Sequence, residues 1–187
     1  MQLDGSCHCG RVSFTVEADS PVPFLRCYCS ICRKTAGTGG YAINLGARTR
    51  TMTVRGQRHL RIYRAQIPDA RGGGTHESSA RRYFCRHCGS ALWVWDPTWP
   101  ELVHPHAGAI DTPLPQPPDH VHCLVGSKAT WVEIEGKSGD PRFAHRAIAH
   151  SRRVTIAGAH HASPFEQPAA FNRALREHLR AASAAAG

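Results

Sequence analysis

The stretch Phe24 to Lys34 reads FLRCYCSICRK and sets Cys27, Cys29 and Cys32 in a Cys-x-Cys-x-x-Cys run. Thiols this close in sequence can turn toward one centre about 2.3 Å from each sulfur, the geometry of thiolate ligation to a metal. Three is an odd number for a scaffold site, which closes with four ligands, and for disulfides, which pair. Four more of the eight cysteines lie in two further clusters, Cys7-His8-Cys9-Gly10 and Cys85-Arg86-His87-Cys88-Gly89. The latter has the form of a zinc knuckle, in which Gly89 lets the chain turn and backbone amides after each cysteine can bond its sulfur. Cys7, Cys9, Cys85 and Cys88 together supply one closed four-thiolate site that ties the start of the chain to its middle. Such a site is structural and contributes on the order of 10 kcal/mol of binding energy.

With those four assigned to each other, Cys27, Cys29 and Cys32 keep a vacancy. Three protein ligands and an open fourth position are the pattern of a catalytic zinc. The alternative is that Cys123, or its neighbour His120 or His122 in HVHCLV, closes the site. A single cysteine in an apolar strand is more often a small buried hydrophobe than a ligand. Disulfides are the weaker reading of the clusters, because a domain of this size does not need staples and the start MQLDGSCHCG lacks the basic and apolar regions of a signal peptide. A cytoplasmic location is the corresponding expectation. An all-thiolate donor set selects zinc, copper(I) or iron–sulfur clusters, and a mononuclear site flanked by glycines fits zinc.

Three thiolates on a divalent zinc leave a charge of about −1, which makes the centre a weaker acidifier of water than zinc held by neutral histidines. A soft site of this kind exchanges its fourth ligand for another thiolate, so the expected substrate is a thiol. Seven thiolates on two zincs lower the formal charge of +9 to about +6, enough to receive an acidic thiol such as glutathione. Arg33 and Lys34, directly after the ligand run, and Lys128 are candidates for its anionic arms. His87, His120 and His122 are candidate proton shuttles.

The rest of the 187 residues reads as one β-rich domain with trimmings. A hydrophobic content of 41% argues against disorder, and no apolar run reaches the eighteen or so residues of a spanning helix. Val12, Phe14 and Val16 alternate with Ser13, Thr15 and Glu17, as in a half-buried strand. Similar strands are expected at Tyr41–Leu45, Thr51–Arg55, Leu60–Arg64, Ala91–Trp95, His120–Val125 and Thr130–Glu135, with no clear helical stripe between them. PDARGGGTHESSA, Pro68 to Ala80, has almost nothing to bury and reads as a mobile loop. From Ala144 the composition turns alanine-rich, which divides the chain into residues 1–143 and a linker with a helix at 168–185. Phe171, Leu175 and Leu179 give that helix a narrow apolar stripe for docking on the domain or on a second subunit. Ten basic residues between Arg48 and Arg86, against Asp69 and Glu77 alone, keep a second function class in view, a zinc-stabilised module whose basic face meets nucleic acid. Against it, there is no nucleic-acid motif and little aromatic interleaving beyond Tyr63, Tyr83 and Phe84.

Four segments resemble the glutathione-dependent formaldehyde-activating enzyme family, which includes centromere protein V. They are GSCHCGRVSF at Gly5–Phe14, CYCSICRKTAG at Cys27–Gly37, FCRHCGSALW at Phe84–Trp93 and GSKATWVEI at Gly126–Ile134. The resemblance covers about Leu3 to Phe143 and leaves out the tail. It implies an all-β fold of the β-tent type, as in methionine-R-sulfoxide reductases, with two zincs. By matching position, Cys7, Cys9, Cys85 and Cys88 are the structural set and Cys27, Cys29 and Cys32 hold the active zinc. The implied activity adds glutathione to formaldehyde to give S-hydroxymethylglutathione, a carbon–sulfur lyase reaction run in reverse; another thiol or carbonyl partner is the near alternative. Tyr28 stands where the family often has histidine, and Thr130 replaces a proline. Tyr28 is expected to alter the surroundings of the second zinc and so the substrate.

Overall fold

The computed structural model describes residues 1–69, 72–117, 120–134 and 173. Their elements fall within one compact unit, Met1–Glu133, and are mostly strands. In chain order these are β1 (Gln2–Ser6), β2 (Ser13–Glu17), β3 (Leu25–Cys27), β4 (Ala42–Ile43), β5 (Ala47–Arg48), β6 (Thr53–Arg55), β7 (Leu60–Tyr63), β8 (Gln66–Pro68), β9 (Thr75–Glu77), β10 (Arg81–Cys85), β11 (Ala91–Trp95), β12 (Leu102–Pro105) and β13 (Val121–Cys123). A short helix, α1 (Ser30–Thr35), follows β3. No helix among the described residues is long and apolar enough to cross a membrane. The helix expected at 168–185 lies outside the described residues except for Arg173.

Three sheets build the body. They have the orders β1-β2-β6, β5-β12-β11-β10-β7 and β13-β3-β4, and a two-stranded hairpin of β8 and β9 stands apart. The alternation of β2 is realised: Phe14 and Val16 are buried, while Ser13 and Thr15 are half-buried. They join Leu3, Val12, Leu45, Leu92, Trp93 and Val103 in the main core, which also contains Cys7 and Cys85. Each such apolar side chain contributes about 1.5–3 kcal/mol on burial, so the first thiol of each knuckle is set on the best-anchored part of the molecule. A smaller cluster gathers Cys27, Cys29, Cys32 and Ala42, with Ile31, Ala36, Cys123 and Leu124 packed against it.

Three expectations are corrected. The loop expected at Pro68–Ala80 is partly ordered as β9, whose residues pair with β8 although all three are exposed, so backbone hydrogen bonds rather than burial define it. Thr130–Glu135 is not a strand over its described residues; Val132 N–H donates to the Ala129 carbonyl in a turn, and Val132 is buried. Helix α1 was hidden because it has no apolar stripe: its Cys29 cap, whose sulfur accepts from Cys32 N–H, starts it instead.

Gly56 closes β6 with φ 76°, and a Cβ there would collide with the Arg11 carbonyl oxygen. Backbone cannot give way as a flexible side chain does. Gly56→Ala is expected to lower stability by about 2 kcal/mol or more, read as a fall in the urea midpoint with an unchanged slope.

Candidate metal centres

The first centre joins two turns made alike. Cys7 follows β1, and its N–H donates to the Val12 carbonyl; Cys85 ends β10, and its N–H donates to the Ser90 carbonyl. Gly89, at φ 73°, turns the second knuckle back so that its N–H reaches the Cys85 carbonyl. The sulfurs of Cys7, Cys9, Cys85 and Cys88 all lie within 4.8 Å of one another. Cys7 Sγ is 3.6 Å from Cys9 Sγ, and Cys9 Sγ is 3.7 Å from Cys85 Sγ. A tetrahedron with metal–sulfur bonds of 2.3 Å has edges of about 3.8 Å, so this spacing fits one thiolate-bound ion.

Backbone and side-chain donors already face these sulfurs. Val12 N–H donates to Cys7 Sγ at 3.2 Å. Ser90 Oγ accepts from His8 N–H at 3.1 Å and is hydrogen-bonded with Cys88 Sγ at 3.2 Å, so one residue links both knuckles. This hydrogen bond leads the effects that bring the Cys88 thiol down to about 5, whereas burial pushes Cys7 up to about 11.

The second centre is built by the strand-to-helix turn of the opening run. Cys27 ends β3, Cys29 caps α1 and Cys32 lies in its first turn; the three sulfurs are within 4.8 Å of one another, and each residue is 4–5% exposed. Cys32 N–H donates to Cys29 Sγ at 3.2 Å. Asn44 Nδ2 approaches Cys32 Sγ at 3.9 Å, and Asn44 Oδ1 accepts from His106 Nδ1 at 2.8 Å. The imidazole thus orients the amide, and the amide faces the sulfur, an outer-shell arrangement of the kind that tunes metal ligands.

Crowding explains why a cation suits this donor set. The Cys32 thiol is pushed well above its ordinary range, first by hydrogen bonds with the Cys27 and Cys29 thiols and then by burial. Cys27 is pushed up chiefly by its hydrogen bond with the Cys123 thiol, then by that with Cys29. Three buried sulfurs so close cannot all ionise unless a positive charge sits among them, and a divalent ion reverses the penalty. The residues fit a thiophilic divalent metal at both centres.

Cys123 stands opposite Cys27 in the parallel β13–β3 pairing and bonds to it, but lies outside the trio whose sulfurs are mutually within 4.8 Å. The next residue, Leu124, has φ 59°, a left-handed conformation that costs about 1–2 kcal/mol and is held by packing on the thiol cluster. Neither histidine beside Cys123 joins the trio. His122 is buried, with Nδ1 2.7 Å from the Tyr28 hydroxyl, and its ring lies 6.5 Å from that of His120. His87 is on the second knuckle of the first centre, with Nε2 2.9 Å from His59 Nδ1. Arg33 Nε donates to the Ser127 carbonyl at 3.2 Å, which brings it to the turn carrying Lys128; Lys128 Nζ donates to the Val132 carbonyl at 3.0 Å. Lys34 is exposed in the last turn of α1.

A sequence profile described as glutathione-dependent formaldehyde-activating enzyme matches residues 2–126. The chain belongs to the glutathione-dependent formaldehyde-activating enzyme family. A Halomonas elongata protein carrying the same family name is 55% identical over 144 residues, which cover 77% of this chain and 88% of that protein. A crystal structure of a Rhodobacter sphaeroides protein is 30% identical, covering 60% of this chain and 91% of the other, with a TM-score of 0.46.

In this member of the glutathione-dependent formaldehyde-activating enzyme family, Tyr28 follows Cys27 directly, and its N–H donates to the Cys123 carbonyl at 3.0 Å. It is 1% exposed, stacks on His122 with ring centroids 5.6 Å apart and packs against Tyr41 at 5.4 Å. Its position pins β13 to β3 and so fixes Cys123 beside Cys27.

Asn44, Ser90 and His106 were not singled out in the sequence; the nearest signal was a polar Asn44 inside the apolar run AINL. His106 also carries a pH consequence. Burial first, then the charge of Arg82, lowers its pKa to about 4. Its unfolded value near 6.5 is higher, so between these limits the unfolded chain takes up more protons, and stability falls as pH drops through the window. The loss approaches about 3 kcal/mol by pH 4. Urea midpoints from pH 7.5 to 4.5 are expected to decline less steeply in His106→Gln than in the wild type; equal slopes would contradict this.

Proposed function

We propose that the protein is a two-zinc enzyme that adds a thiol to a small aldehyde, with glutathione and formaldehyde as the pair. In this reading Cys7, Cys9, Cys85 and Cys88 hold a structural zinc, and Cys27, Cys29 and Cys32 hold the catalytic one, on a β-tent type fold. The observation that carries it is the unequal division of the seven clustered thiols: four converge on one centre and three on another, with Cys123 hydrogen-bonded to Cys27 but outside the trio's mutual spacing. The family and the name of the Halomonas elongata relative support the choice of substrates.

Cys27, Cys29 and Cys32 would hold the zinc, which would supply the Lewis acidity for ionising a thiol near neutral pH. The chain's residues do the remaining work. Asn44, steadied by neutral His106, holds Cys32 Sγ in place, and Cys32 N–H does the same for Cys29 Sγ. Arg33 and Lys128, brought to one turn, and Lys34 on α1 attract the carboxylates of glutathione. The sulfur lone pair then forms a bond to the aldehyde carbon, the C=O π pair moves to oxygen, and that oxygen takes the proton the thiol released. The product is S-hydroxymethylglutathione, and its breakdown is the carbon–sulfur lyase direction. Seven reduced thiols suit a reducing cytoplasm.

Exchange spectroscopy with 13C-formaldehyde and glutathione tests the reading. Catalytic amounts of zinc-loaded protein are expected to speed interconversion of free formaldehyde and the hydroxymethyl adduct above the uncatalysed rate. No acceleration with glutathione or with a panel of small thiols and aldehydes would overturn it.

A further inference from the structure

The five-stranded sheet carries a cavity of about 700 Å³ to which neither thiol cluster contributes. Its aromatic wall comes from β10 and β11, and β7 supplies Arg61 and Ile62. Alternation puts Arg81 and Tyr83 on one face of β10, and register sets them opposite Trp95 and Trp93. The rings are held before any ligand arrives. Tyr83 stacks on Trp93 with centroids 5.0 Å apart, Trp93 meets Phe14 edge-on at 5.2 Å, and Trp95 Nε1 donates to the Pro100 carbonyl at 3.2 Å. Flat, fixed aromatic walls favour a planar guest, and the volume is that of a small-molecule site.

Charge selects the guest further. Arg61 and Arg81 line the cavity, and no carboxylate does. The Arg81 guanidinium lies 5.1 Å from the centre of the Trp95 ring and has no hydrogen bond or ion pair among the described residues. Arg61 uses one donor, Nη1, on the Leu60 carbonyl. Planar guanidinium donors left unpaired beside an apolar cavity suit a carboxylate. Ile62 at the rim is 49% exposed, apolar surface that a bound ring would cover.

We propose that this cavity is a second binding site, for a small planar aromatic carboxylate, with the ring stacked among Tyr83, Trp93 and Trp95 and the carboxylate paired with Arg81 and Arg61. It is independent of the thiol chemistry, so failure of either idea leaves the other standing.

Calorimetric titration of the full-length, zinc-loaded chain with naphthalene-2-carboxylate tests it. Binding is expected with a Kd on the order of 10–100 µM, given the guest's size. The neutral analogue 2-naphthalenemethanol is expected to bind at least about tenfold more weakly, since it forgoes the charge-assisted pair. Arg81→Gln is expected to weaken naphthoate at least about fivefold and leave the neutral analogue nearly unchanged. Ile62→Glu, a surface change that adds a negative charge at the rim, is expected to abolish naphthoate binding. No binding at 2 mM, equal affinity for both compounds, or unchanged affinity in both variants would overturn the proposal.

Discussion

Cys29→Ala is expected to bind one zinc and the wild type two, and the variant is expected to lose turnover by more than about a hundredfold. Cys29 has two duties. It supplies one of three sulfurs at the second centre, and it caps α1 by accepting from Cys32 N–H. Without it two thiols of the trio remain, too few to hold an ion in a site whose fourth place the proposed mechanism keeps for a thiol. Loss of the cap costs only about 1 kcal/mol, and the cluster is a satellite of the main core, so the variant should stay folded. Metal analysis together with the thermal midpoint separates the cases: one zinc, a modest drop in Tm and no thiol binding are expected. Two zincs with full glutathione affinity would contradict the catalytic assignment.

Cys85→Ala is expected to act on the whole fold. Cys85 is fully buried, ends β10, an interior strand of the five-stranded sheet, and belongs to the main core. Its centre joins the first turn of the chain to β10, and an ion there would stabilise the loop closed by Cys9 and Cys85, seventy-six positions apart. Structural zinc binding is worth on the order of 10 kcal/mol, comparable with the entire stability of a domain. Losing most of it is expected to leave the chain insoluble or to lower Tm by more than about 10 °C. Chelation of the wild type should reproduce the effect, and zinc should restore the wild type alone. A variant that melts within a few degrees of the wild type would show that this centre does not hold the fold together.

The contrast between the variants follows from where the sequence was readable. Ligands of one ion must converge, so Cys-x-x-Cys spacing survives in the chain as a local signal, and the seven thiols could be grouped before any coordinates. The strand around Phe14 was legible because one face is buried, and Ala91–Trp95 because its run ALWVW is apolar throughout, with adjacent Leu92 and Trp93 both buried. The strands β3 and β13, three residues each, were too short for a period, and β13 was covered only by the broader expectation at His120–Val125. β9 reads THE and buries nothing, so no apolar pattern marks it. At the second centre the steadying pair Asn44 and His106 is sixty-two residues apart and depends on tertiary approach. The place of Cys123 was likewise invisible: parallel pairing with β3, with Leu124 turned left-handed after it, sets it beside Cys27 yet outside the trio.

Zinc-edge X-ray absorption on the two-zinc protein, with and without glutathione, tests the open fourth position most directly. Before the thiol is added, one zinc should show four sulfur ligands and the other three sulfurs with one lighter ligand. After saturation with glutathione, both should show four. Four sulfurs at both zincs from the start, with no change on adding glutathione, would mean that Cys123 closes the second centre and would contradict its role in the chemistry.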